Sequence, residues 1–139
     1  MSRPVALQQQ QRLPLRQRII PLAAVGLARL LAKMRPARLR AVLERVRCGA
    51  RPATSEQAHA ARQAVVSVSL RCAGEGCLQR SIAAALLCRA RGVWPTWCTG
   101  VRTQPFTAHA WVEVNGHPVG EPYPAGHYRT LVSIPPLPT

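Results

Sequence analysis

The chain has 139 residues, enough for one domain with a modest core and too few for a second module. Its net charge is +14, and eighteen of its nineteen basic residues are arginine. The five cysteines, Cys48, Cys72, Cys77, Cys88 and Cys98, are odd in number and form no Cys-x-x-Cys pair, which disfavours a disulfide framework or a structural zinc site and points to reduced thiols in a cytoplasmic protein.

The charge is uneven. Residues 1–47 hold ten Arg and Lys33 against Glu44, a net of +10, while the remainder holds eight Arg against four Glu, a net of +4. The N-terminal third is therefore the expected docking face for something acidic, whether peptide, protein or nucleic acid, set against a plain solvated basic surface.

Residues 1–18 are rich in Gln, Arg and Pro without periodicity and read as a mobile tail, leaving 19–139 as the single domain. The apolar run at 19–28 follows Arg12, Arg16 and Arg18 but is too short to span a membrane and continues with helical spacing. It reads as a core helix that Pro21 opens, with Leu27, Leu30, Leu31 and Met34 as the buried stripe, stopping near Pro36. A second helix turns Leu39, Val42, Leu43 and Val46 inward and its arginines outward. Thr54 and Gln57 form a capping box for a third helix carrying Ala58, Ala61 and Val65 inward and extending through the ambiguous stretch VVSVSL. His59 on it reads as a surface residue.

Arg71 to Gly76 reads as a loop. The next helix runs from Cys77 to about Arg91 with Gly92 as its C-cap, burying Leu78, Ile82, Ala85 and Leu86 on one side. From Val93 the period changes to two. VWPTWCTGVRT and FTAHAWVEV read as strands, HPVGEP as a short edge strand, and the proline-rich tail from Pro122 as irregular. Helices followed by an antiparallel sheet make the fold class α+β. Trp94, Trp97 and Trp111 read as core or cleft walls rather than a stacking platform for nucleic acid.

The chemistry sits between Glu75 and Glu121. Cys77 opens a helix, where free backbone N–H groups and the helix dipole favour a thiolate. An imidazole on a neighbouring strand would stabilise that thiolate and protonate a leaving amine, and His109 is placed for it. The Cys77 N–H is a candidate oxyanion donor. The third member depends on hairpin register. A three-residue loop, Val114 to Gly116, pairs Glu113 with His117 and His109 with Glu121, and this register is expected. A two-residue Asn-Gly loop instead turns Glu121 away unless a bulge realigns it, with Glu113 as the alternative on the face of His109. Cys48, Cys72, Cys88 and Cys98 read as structural, and His117 and His127 as surface. Arg80 is open between binding a substrate carboxylate and reaching solvent. No metal or cofactor is expected.

The motifs Cys-Leu-x-Arg-Ser and His-Ala-Trp-Val-Glu, within a run spanning roughly 20–135, resemble the stand-alone leader peptidases of lasso-peptide biosynthesis, which are bacterial and transglutaminase-like. The resemblance implies a transglutaminase-like (papain-like) cysteine protease fold and removal of the leader from a precursor peptide. It implies a Cys77 nucleophile and a His109 base, with Glu121 where that family usually has aspartate; this chain contains no Asp. It also implies two partners, a separate precursor recognition protein and a downstream macrolactam cyclase, with no nucleic acid and no membrane association. The alternatives are transglutaminase-type acyl transfer to an amine and a non-catalytic basic binding protein.

Overall fold

A computed structural model describes residues 14–69 and 76–138. Its elements are α1 (Leu15–Ala32), α2 (Pro36–Val46), β1 (Arg51–Pro52), α3 (Ser55–Val68), α4 (Cys77–Ala90), β2 (Val93–Trp94), β3 (Thr96–Thr103), β4 (Phe106–Val114), β5 (His117–Pro118) and β6 (Arg129–Ile134). The four larger-sheet strands run in the order β5-β4-β3-β6 and are antiparallel, while β1 and β2 form a small parallel pair. The class is α+β, as expected. The loop expected at 71–76, Cys72, and residues 1–13 of the expected tail lie outside the described residues, apart from Gly76.

α4 is the axis of the molecule. Every residue from Arg80 to Cys88 is buried, because α1 and α3 pack against it and β4 lies along it as well. A helix enclosed on all sides has no use for a polar stripe, which explains the near-uniform run Ser81-Ile82-Ala83-Ala84-Ala85-Leu86-Leu87-Cys88. The expectation of a single buried side is thus corrected. Gly92, at φ +84°, follows the C-cap Arg91 and lets the chain leave the helix in a left-handed turn.

α1 departs from expectation in two ways. It begins at Leu15, with Pro21 inside it rather than at its start. Its buried residues are Pro21, Ala24, Val25, Ala28 and Leu31, whereas Leu27 and Leu30 are exposed. The inward face uses small residues because α4 presents alanines of its own, and short side chains let the two helices pack closely. α2 buries Leu39 and Leu43 as expected. The capping box is present: Thr54 Oγ1 accepts from the Gln57 N–H at 3.1 Å and Gln57 Oε1 accepts from the Thr54 N–H at 2.9 Å.

β4 has the expected bounds. The tail contains a strand the sequence reading missed: β6 pairs with β3 around a register shift between Thr99 and Gly100. The Trp94 indole N–H donates to the Ile134 carbonyl at 3.1 Å and fixes the end of β6 over the core. At Gly100 a side chain is excluded, since a Cβ would sit 2.5 Å from the Arg129 carbonyl oxygen and 2.9 Å from the Trp111 ring. The β4–β5 hairpin overturns the expected register. Its loop has two residues, Asn115 (φ 52°) and Gly116 (φ 80°), and it pairs Val114 with His117 and Glu113 with Pro118. Two successive left-handed residues match the twist of the strands, the reason Asn-Gly favours this tight turn over a three-residue loop.

Candidate active site

With that register an unbroken β5 would aim Glu121 away from His109. The chain avoids this at Gly120. The pairing continues as far as the Val119 N–H donating to the Val112 carbonyl at 3.0 Å. Gly120 then turns left-handed at φ +67°, and Glu121 arrives on the side of His109. The residue expected from sequence is therefore in place, by the local irregularity rather than by the expected register.

The His109 Nε2–H donates to Glu121 Oε1. The carboxylate can only accept, so this bond keeps a proton on Nε2. On its other side His109 is hydrogen bonded to Cys77, whose sulfur also receives the backbone amide of Ala110. Cys77 is the first residue of α4, after the N-cap Gly76, so its own N–H belongs to the first turn and has no acceptor within the helix.

The electrostatics follow from these contacts. Burial pushes the Cys77 thiol up, but the hydrogen bonds from His109 and Ala110 and the charges of His109 and Arg80 outweigh it, and the net is below the ordinary thiol value. Burial pulls His109 down, while Cys77 and Glu121 raise it further, to about 9. Burial raises Glu121, but His109, Arg62 and Arg80 hold it below the ordinary carboxylate range. Two buried thiols move the opposite way: burial pushes Cys88 up to about 12, and burial together with Glu113 raises Cys98 as well. Cys77 thus combines a lowered thiol with a neighbouring imidazole that is raised.

Glu113, the alternative carboxylate, is occupied elsewhere. Its Oε1 accepts from the Trp111 indole at 3.0 Å and from the Cys98 thiol at 3.2 Å. Arg80 does not reach solvent; it is buried, and its charge acts on Cys77, Glu121 and Arg62. Arg62, Gly120 and Tyr128 were missed. Arg62 on α3 donates from Nη2 to Glu121 Oε2 at 2.9 Å, with both side chains about 5 % exposed or less. Gly120 packs on it, since a Cβ there would meet Arg62 Cδ and Nη1 at 2.9 Å. Tyr128 stacks on His109 at 4.9 Å between ring centres, and Trp111 lies on the same imidazole at 5.9 Å. A signal for Arg62 existed, an arginine among Ala58, Ala61, Val65 and Val66 on the inward face of α3. His127, expected at the surface, is half-buried, stacked on Tyr123 and hydrogen bonded to Arg102. His59 and His117 are exposed.

A small pocket of about 150 Å³ adjoins His109 under the chain from Glu121 to Tyr128. A larger groove of about 580 Å³ lies between α1, α3 and the far end of α4. With Leu87, Ala90 and Arg91 lining it, the rise per residue puts it roughly 15–20 Å from Cys77, too far to serve the thiol. Among the described residues no three His, Cys, Asp or Glu side chains converge on a possible metal position, and no helix is long and apolar enough to cross a membrane.

A family model of the transglutaminase-like superfamily matches residues 21–133. The chain belongs to that superfamily. The match covers every element of this transglutaminase-like domain from the middle of α1 to β6, Cys77, His109 and Glu121 included. Members are typically Cys-His enzymes of the cysteine-protease or acyltransferase type. No curated protein and no solved structure matches the chain.

Proposed function

We propose that this domain is a cysteine peptidase with Cys77 as nucleophile, His109 as acid and base and Glu121 as the carboxylate that orients His109. The observation that carries the reading is the line Cys77–His109–Glu121, with the thiol depressed and the imidazole raised. The Cys77 thiolate attacks the peptide carbonyl, the Cys77 N–H faces the developing oxyanion, and the His109 imidazolium protonates the leaving amine. Water, deprotonated by His109, then hydrolyses the thioester and restores the thiol pair.

The substrate is a lasso-peptide precursor, whose leader is removed so that a cyclase can use the freed amine. The Cys77-Leu78-Gln79-Arg80-Ser81 and His109-Ala110-Trp111-Val112-Glu113 motifs support this assignment. A separate recognition protein presents the leader, the basic N-terminal third is its docking side, and the setting is the cytoplasm. The superfamily match supports a second chemistry at the same residues, attack of an amine on the thioester in place of water. Incubation of the protein with precursor and recognition protein separates the outcomes by mass. Free leader plus free core supports the peptidase. An amine adduct without cleavage supports acyl transfer. Function that survives Cys77→Ala, with affinity falling steeply as salt rises, would leave only a basic binding protein.

A further inference from the structure

The 150 Å³ pocket beside His109 has an unusual lining for so basic a chain. Its walls include the rings of Trp111, Tyr123 and Tyr128 together with His109, and both Glu113 and Glu121 line it along with Thr130. The rings are in contact with one another: Trp111 and Tyr128 tilt 32° apart at 5.9 Å, and Tyr123 meets Tyr128 edge-on at 5.7 Å. Glu113 is half-buried there. Its hydrogen-bond donors, the Trp111 indole and the Cys98 thiol, are both neutral, and among the described residues it forms no ion pair. Glu44 and Glu121 by contrast each hold an arginine. A partly desolvated carboxylate without a cation is costly, and this one persists in a chain carrying nineteen basic residues.

We infer that this pocket is a substrate subsite for the cationic end of a long side chain, the ammonium of a lysine or the guanidinium of an arginine in the bound peptide. Aromatic faces around a carboxylate are what an alkyl cation needs, since the rings take the stem and attract the charge while the carboxylate pairs with it. The volume suits one side-chain end, well below the roughly 300–1,000 Å³ of pockets for drug-sized ligands. His109 and Arg62 are balanced by Glu121 and the Cys77 thiolate, while the third cation, Arg80, acts on those same two anions and does not line the pocket. The position next to the reactive pair is what makes it a substrate subsite. Tyr128, which forms one wall, is close enough for the Cys77 charge to act on it.

That placement rests on the peptidase reading, whereas cation binding does not, and two measurements separate them. In the first, butylammonium or propylguanidinium is titrated to about 100 mM while the Trp111 indole N–H is followed by NMR, with butanol as the neutral control. A saturable shift with both cations, absent with butanol and lost in Glu113→Gln, is expected. The absence of any saturable shift overturns the site whatever Cys77 does. In the second, Cys77 reacts with the ammonium-bearing and the neutral methyl methanethiosulfonates, and peptide mass spectrometry reads Cys77 alone. The ratio of cationic to neutral rate should fall about two- to fivefold in Glu113→Gln, as expected for one lost partly exposed charge contact. An equal ratio in both proteins, with cation binding intact, removes the subsite from the substrate path and overturns the inference. A Cys77 inert to the neutral reagent refutes the peptidase reading instead, and the titration still decides whether the pocket takes a cation.

Discussion

Arg62→Met tests whether the site is held by a buried ion pair. Arg62 and Glu121 meet at 2.9 Å with side chains 4 % and 5 % exposed, so neither can exchange its partner for water. Burial lowers the titration of Arg62, with Arg80 adding to that and Glu121 opposing it, yet a guanidinium stays charged at any working pH. Removing it leaves Glu121 Oε2 buried without its cation, while His109 still holds Oε1. Breaking a buried pair from one side costs about 3–5 kcal/mol, a large part of the roughly 5–15 kcal/mol that holds a domain together. For a chain of this size that corresponds to a fall in Tm of roughly 10–15 °C. Urea midpoints and calorimetry on Arg62→Met, Glu121→Gln and the double variant measure it. In the Glu121→Gln background no charge is left stranded, so Arg62→Met should cost at least about 2 kcal/mol less there than in the wild type. An Arg62→Met cost below about 1 kcal/mol, equal in both backgrounds, would refute the argument that a desolvated pair secures Glu121.

Three further outcomes follow from the same geometry. His109→Ala should slow alkylation of Cys77 at about pH 6 by at least about tenfold and move its first titration step above the ordinary thiol value, whereas the wild type should react well below that value and show a second change near 9 as the imidazolium is lost; identical profiles contradict the paired thiolate. Gly120→Ala should destabilise by about 1–2 kcal/mol from the left-handed backbone alone, with more from contact with Arg62, and should raise the pH at which Cys77 becomes reactive; an unchanged melting curve contradicts it. Glu121 titrates lower folded than unfolded, so the folded state binds fewer protons. Its contribution is complete above the ordinary value of 4.5 and is lost as pH falls through the depressed one, so Glu121→Gln should flatten the acid limb of the stability curve, and an equally steep limb in both proteins rules this out.

What the sequence disclosed was mostly local. The Thr54–Gln57 box, the span of β4, the start of α4 at Cys77 and its end before Gly92 each depend on neighbours a few positions away. Features set by distant partners were hidden. The inward face of α1 was misread because large apolar residues drew attention, whereas the close approach to α4 selects Ala24 and Ala28. β6 was missed because prolines flank it and its partner β3 lies about thirty residues back. Glu121 was expected for the wrong reason: the Asn-Gly turn fixes a register that misaims it, and a single glycine reverses the error. Arg62 lies fifty-nine residues from Glu121 in sequence, and no periodicity joins them.

The helix bearing Cys77 is also the rod around which the other layers are wrapped, and its buried stretch from Arg80 to Cys88 anchors the end that carries the sulfur. Whatever tunes the reaction must therefore arrive from the opposite wall, along β4 and the span between Gly120 and Tyr128. Under the proposed peptidase reading, side chains in that span would set substrate preference while the buried helix holds the nucleophile in place.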